Sequence, residues 1–260
     1  MRIKIFHIFC SFFLATSLIA GTHREKFQET YSFEKGSELI VDNTNGSVYV
    51  ESWDRNEVRV EAEKIVKARS RRQAEEIMER VRIEVKQGRN YLEIRTKYPK
   101  RRGGFWDSVF GNGVSISVKY RILVPNETNM DISTVNGKVG ITDVAGNIRV
   151  KTTNGGIEVR EGKGSVQAKT TNGGIDVELL EFEEDEDMNF RTTNGSIRVY
   201  FPENLRADID ARTTNGSVRT DFPIEVRGGF SKRRLKGKIN GGGGRIVLHT
   251  TNGGIKILEQ

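Results

Sequence analysis

Lys151, Lys169, Arg191 and Arg212 each stand three residues before an Asn-Gly pair, and His249 holds the same place before another. Stacked one above the other, the four cations would form a file at roughly 5 Å spacing. Such a file could track an anionic polymer, a surface polysaccharide or lipid head groups, with affinity that falls as salt rises. The plainer reading carries more weight on sequence alone: an outward strand face neutralised by neighbouring acids, a role open to Glu158 and Asp176.

Bond-making chemistry is poorly supplied. The chain has three histidines and one cysteine. His7 and Cys10 fall in an apolar leader and His23 just beyond it, which leaves His249, a residue of the repeat. Cys/His metal sites and Cys/His nucleophiles are thereby nearly excluded, and no nucleophile elbow accompanies His249. The sequence assigns no catalytic, cofactor-binding or metal-binding residue. The acidic run at 181–187 lacks the spacing of a calcium loop and reads as a solvated loop. The glycines at 241–244 lack the Lys-Ser/Thr of a phosphate loop and read as a flexible turn, and the basic stretch 232–238 as a solvated connection. A second contact candidate is the insert 97–113, KYPKRRGGFWDSVFGNG. There Lys100, Arg101 and Arg102 precede Phe105, Trp106 and Phe110, a composition suited to a loop that meets a membrane surface or a partner. The alternative is that the aromatics fold back over the edge of the fold.

These residues are positioned by a repeat. Asn45, Asn136, Asn154, Asn172, Asn194, Asn215 and Asn252 are each followed by glycine, and three residues on stands Val or Ile every time. Five residues on the position is again β-branched, with a mostly polar residue between, which is the period of a half-buried strand. The Asn-Gly pair is read as a turn that supplies positive φ. Two architectures fit. In a hairpin meander, Lys151 would face Glu158 but Arg191 would face Arg198. In a β-solenoid, repeats of 18 to 22 residues stack like on like, and Thr and Asn form ladders. The recurrence of whole phrases favours the solenoid.

The 260 residues include 28 glycines and only 4 prolines, suiting short strands and tight turns. Residues 1–21 read as a signal peptide, with Arg2 and Lys4 before an apolar run and cleavage after Ala20 or Gly21; a retained anchor is the alternative. Its removal lowers the formal net charge from +7 to about +5, too mild to argue for nucleic acid. The region 22–128 holds the first strands, the insert and one helix at about 71–80, where Ser70 to Gln73 reads as a capping box and Ala74, Ile77, Met78 and Val81 share a face. The repeat array runs over 129–260 and is continuous with what precedes it.

With the leader, the strand–helix–strand lead-in, the phrase VPNETNMDISTVNG and the TTNG copies in view, the chain resembles the bacterial "putative adhesin" β-strand-repeat proteins. The resemblance implies a β-helix-like fold and an envelope location and carries no catalytic residues. The sequence reading is therefore an exported, all-β, mostly parallel β-solenoid with one short helix near its start. It would be non-enzymatic, periplasmic or at the cell surface, binding or scaffolding an envelope polymer or protein and no nucleic acid. Two alternatives stay open: a carbohydrate-active β-helix enzyme, and a sensor or accessory domain of an envelope stress system.

Overall fold

The computed structural model describes residues 21–99, 113–182, 186–226 and 231–260; the leader expected at 1–21 lies, but for Gly21, outside them. The chain begins with β1 (Thr22–Ser32), β2 (Glu38–Asp42), β3 (Val48–Trp53), β4 (Glu57–Lys67), α1 (Arg71–Met78), β5 (Arg82–Gln87), β6 (Tyr91–Lys97) and β7 (Ser115–Pro125). The repeats supply β8 (Asn129–Ser133) and β9 (Val139–Thr142), β10 (Ile148–Lys151) and β11 (Ile157–Lys163), and β12 (Val166–Lys169) and β13 (Ile175–Glu181). They continue with β14 (Met188–Arg191) and β15 (Ile197–Phe201), then β16 (Ala207–Asn215) and β17 (Val218–Thr220). After β18 (Glu225–Val226) and β19 (Arg234–Ile239), the chain ends in β20 (Gly244–Asn252) and β21 (Ile255–Glu259).

These strands form two sheets. Sheet I runs β1-β4-β7-β3-β9-β11-β13-β15-β21-β17, and sheet II runs β18-β19-β16-β20-β14-β12-β10-β8-β2-β6-β5. Each repeat contributes one strand to each sheet and turns between them at its Asn-Gly pair, so like residues lie side by side. Lys151 is in register with Lys169, and Glu158 with Asp176. The hairpin pairing of Lys151 with Glu158 does not occur. Alternation decides the faces: in β12, Val166 and Ala168 are buried while Gln167 and Lys169 face out. The inward residues of both sheets join one core. The stack is solenoid-like, but both sheets are mixed. Antiparallel pairs β1·β4, β4·β7 and β5·β6 flank both sheets at one end, and β16·β19 and β18·β19 flank sheet II at the other, where sheet I ends on the parallel strand β17. The antiparallel strands cover edges that an all-parallel stack would leave open.

Spatial order departs from chain order at both ends. The first repeat, β2/β3, lies between β6/β7 and β8/β9. The last, β20/β21, lies between β14/β15 and β16/β17. Because β19 occupies the outer edge of β16, the final repeat sits at its inner edge. The basic stretch expected as a solvated connection is in fact largely β19, with Leu235 and Ile239 buried.

The turns are held by two ladders. Each asparagine amide donates to the next: Asn215 to Asn252 (2.8 Å), then Asn252 to Asn194, Asn194 to Asn172, Asn172 to Asn154 and Asn154 to Asn136 (2.7 Å each), and Asn136 to Asn45 (2.6 Å). Beneath them the first threonine of the six later phrases is buried and donates to a glycine carbonyl of the neighbouring repeat, as Thr170 does to Gly155 (2.9 Å) and Thr192 to Gly173 (2.8 Å), while Asn43 takes that place in the first. The glycine after each asparagine answers a different need from the one expected. Of these seven, only Gly46 and Gly253 have positive φ. A Cβ on Gly173 would instead lie 2.0 Å from the carbonyl oxygen of Gly155, and Gly137, Gly155, Gly195 and Gly216 meet the same obstacle. Close approach between stacked turns requires glycine there.

The helix forms where expected, shorter by two residues. Ser70 caps it by accepting from the Gln73 amide (3.2 Å), and Arg71–Glu75 and Arg72–Glu76 brace its outer face. Ala74, Ile77 and Met78 are buried where it packs on β4 and β1.

Candidate functional site

On the outward face of sheet II, register pairing places Lys151 beside Lys169, Lys169 beside Arg191, Arg191 beside His249, His249 beside Arg212, and Arg212 beside Arg234 of β19. Six positions span five strand spacings, roughly 24 Å. His249 separates Arg191 from Arg212, so the expected four-cation file has a histidine within it and an arginine beyond its end. At the other end the file gives way to Ser133 and then Asp42, which pairs with Arg95 (3.5 Å).

The acids expected to neutralise the file do not reach it. Glu158 and Asp176 belong to sheet I, where Glu158 bonds Lys138 and Arg160 (3.0 Å to the latter) and Asp176 bonds Arg198 (3.0 Å). Lys138 and Arg160 hold the Glu158 carboxyl below its ordinary range. Among the described residues, Lys151, Lys169, Arg191, Arg212 and Arg234 have no acid within salt-bridge distance. On sheet I the corresponding row is paired at Glu158, Asp176 and Arg198, whereas Lys256 and Arg219 at its end have no acid among the described residues; on sheet II the whole file is unpaired, although Arg149 and Arg245 beside it pair with Asp131 and Asp210.

His249 registers that field. Burial lowers its pKa below the ordinary 6.5, and the charges of Arg212 and Arg191 lower it further, with Asp210 opposing. A histidine that resists protonation when folded makes stability decline as pH falls from about 6.5 through the lowered value. We expect the urea midpoint of the wild type to drop more between pH 7 and pH 5 than that of His249→Gln. Equal slopes would show that the imidazole does not feel its neighbours.

Beside the file, two residues earlier on β12, β14, β20 and β16 and two later on the antiparallel β19, runs a mostly polar row in register: Gln167, Asn189, Val247, Asp210 and Lys236. Two hollows of about 690 and 280 Å³ open along it, and both are lined by Asp187 and Arg245. Arg245 pairs with Asp210 (3.6 Å), and its backbone amide donates to Asp187 (2.9 Å). The side-chain oxygen of Asn189 is shielded from solvent and has no hydrogen-bond partner among the described residues. Period-2 alternation marks this row in the sequence. Nothing there marks Arg234, which lies on an antiparallel strand outside the phrase.

The family described as Toastrack DUF4097 matches residues 38–258, nearly the whole chain. The chain belongs to that family. No curated protein matches this Toastrack sequence. Among solved structures, a "putative cell adhesion protein" from Clostridium sporogenes is 15% identical, with 91% of this chain and 100% of that one covered and a TM-score of 0.44. A "putative adhesin" from Bacteroides fragilis is 13% identical, with 91% and 97% covered and a TM-score of 0.40.

The residues of the second contact candidate, Lys100, Arg101, Arg102, Phe105, Trp106 and Phe110, lie outside the described residues, as do residues 183–185 of the acidic run. Of that run, Glu181 pairs with Lys163 (3.0 Å) and Asp187 lines the hollows. The glycine turn carries positive φ at Gly241 and Gly242 and joins β19 to β20. No described helix is long and apolar enough to cross a membrane.

Proposed function

We propose that this Toastrack chain is a non-enzymatic binding module of the cell envelope that holds an anionic polymer along the cationic file of sheet II. The observation that carries the reading is the contrast between faces. On sheet I Lys138, Glu158, Asp176 and Arg198 are paired and only Arg219 and Lys256 are not, whereas on sheet II Lys151, Lys169, Arg191 and, beyond His249, Arg212 stand in one row with no acid among the described residues. Like charges side by side on a sheet are destabilising, so a ligand that spans them relieves a cost the fold otherwise carries. A polymer contacting several rungs adds small surface terms, roughly 0.5 kcal/mol each, that no single exposed pair would supply. The apolar leader supports an exported chain.

The test is binding to dextran sulfate at low and high salt by the wild type and by a Lys169→Gln, Arg191→Gln, Arg212→Gln variant. Three surface terms lost together predict a fall of roughly tenfold at low salt, converging with the wild type as salt rises, with the thermal transition retained. Equal affinity for the two proteins at low salt would remove the file as the binding element.

A further inference from the structure

We propose that the polymer held by the file is an acidic polysaccharide, a linear glycan with carboxylates on its sugar units, whose hydroxyls lie in the polar trough beside the cations. This inference rests on the binding reading above and assigns its ligand class.

The argument comes from pairing two rows of unlike chemistry on one face. The cations of the file offer only donors, since Lys and Arg side chains accept nothing. The trough runs parallel to it, two residues and so roughly 7 Å away along each strand, about the width of a sugar ring. It offers both kinds of group: the amides of Gln167 and Asn189 donate and accept, Lys236 donates, and Asp210 and Asp187 accept. A polymer that is anionic all round, such as polyphosphate, can use the file. It brings no donors to the trough, and it sets its own charge against Asp210 and Asp187, whose neighbour Arg245 offsets only part of theirs. A glycan separates the two functions. Its carboxylates meet the file, and its hydroxyls, which donate and accept together, serve the amides and acids of the trough. The unpartnered oxygen of Asn189 is a buried acceptor that the protein leaves unserved, a state that carries a free-energy cost and that a small rotation of the amide toward a hydroxyl removes. The hollows, about 690 and 280 Å³, give the ring room. The stacking axis also sets the orientation: the glycan lies across the strands, one sugar to about one repeat.

The experiment compares immobilised polygalacturonate with polyphosphate of matched charge number, in one buffer. The proteins are the wild type and a Gln167→Ala, Asn189→Ala variant that leaves every cation of the file in place. The expected result is a wild-type preference for polygalacturonate of at least tenfold. In the variant its affinity falls to the polyphosphate level, while polyphosphate binding stays within twofold and thereby reports an intact fold. Equal wild-type binding to the two polymers, or a preference the variant retains, overturns the assignment and leaves the binding reading standing. Binding to neither polymer overturns both.

Discussion

Deleting residues 244–260 is expected to leave a chain with no cooperative thermal transition and with rapid proteolysis along its whole length. In a repeat protein built in chain order, losing the last repeat exposes one interface and trims stability by one increment. Here the last repeat is internal. Its removal parts β14/β15 from β16/β17 and breaks the asparagine ladder between Asn194 and Asn215. It also takes Ile246, Leu248, Ile255 and Ile257 from the core, all of them buried. At roughly 1.5–3 kcal/mol per fully buried aliphatic side chain, the loss reaches about 6–12 kcal/mol, comparable with the whole stability of a typical domain. Circular dichroism melts of the full and shortened chains decide it. A shortened chain that still melts cooperatively within a few degrees of the full one would mean that β16/β17 closes onto β14/β15 unaided.

The second large effect separates two adjacent glycines. Gly173→Ala should lower stability by about 3 kcal/mol, the upper range for overpacking, and the melting temperature by roughly 10 °C. Gly174→Ala should change stability by less than about 1 kcal/mol. A methyl at 173 would meet the Gly155 carbonyl at 2.0 Å, the same oxygen that accepts the Thr170 hydroxyl, so relief of the clash disturbs the threonine ladder too. At 174 the nearest atom is the Ser196 carbonyl oxygen at 3.4 Å, and other repeats carry Ser47, Lys138, Ser196 and Ser217 at that position. Comparable melts for the two variants would refute steric contact between stacked turns as the reason for the invariant glycine of the phrase.

Both expectations turn on what the sequence could and could not convey. Alternation and the recurring TTNG phrase made the strands, the stacking and the like-on-like ladders legible, because each depends on residues within one repeat. The cap at Ser70 and the stripe through Ala74, Ile77 and Met78 revealed the helix for the same reason. Spatial order was not legible. HTTNGGIKI presents the same inward residue types as KTTNGGIEV and suits either slot, and only the antiparallel β19 on the outer edge of β16 settles which it takes. That long-range choice moved His249 into the middle of the cationic file and added Arg234 at its end. The role of Asn-Gly was misassigned because the pair is the usual signal of positive φ, whereas close packing across a stack leaves no trace within the turn itself. The neutralisation expected from Glu158 and Asp176 failed because adjacency in sequence crosses an Asn-Gly turn, which sends the two halves of a phrase to opposite sheets.

The first three rungs between the two interleaved ends follow one another at a fixed interval. Asn136 to Asn154 and Asn154 to Asn172 are each separated by 18 residues, and the amide string points one way through all of them. Copying one such unit in frame therefore adds a rung without reversing any amide and without disturbing either end. The ends act as fixed terminals, and the length between them is a variable that a gene can edit in whole steps. Each step would extend the charged edge by one more residue. The reach of the protein along whatever it lies against would then be inherited as a number of repeats, independently of the chemistry of any one of them.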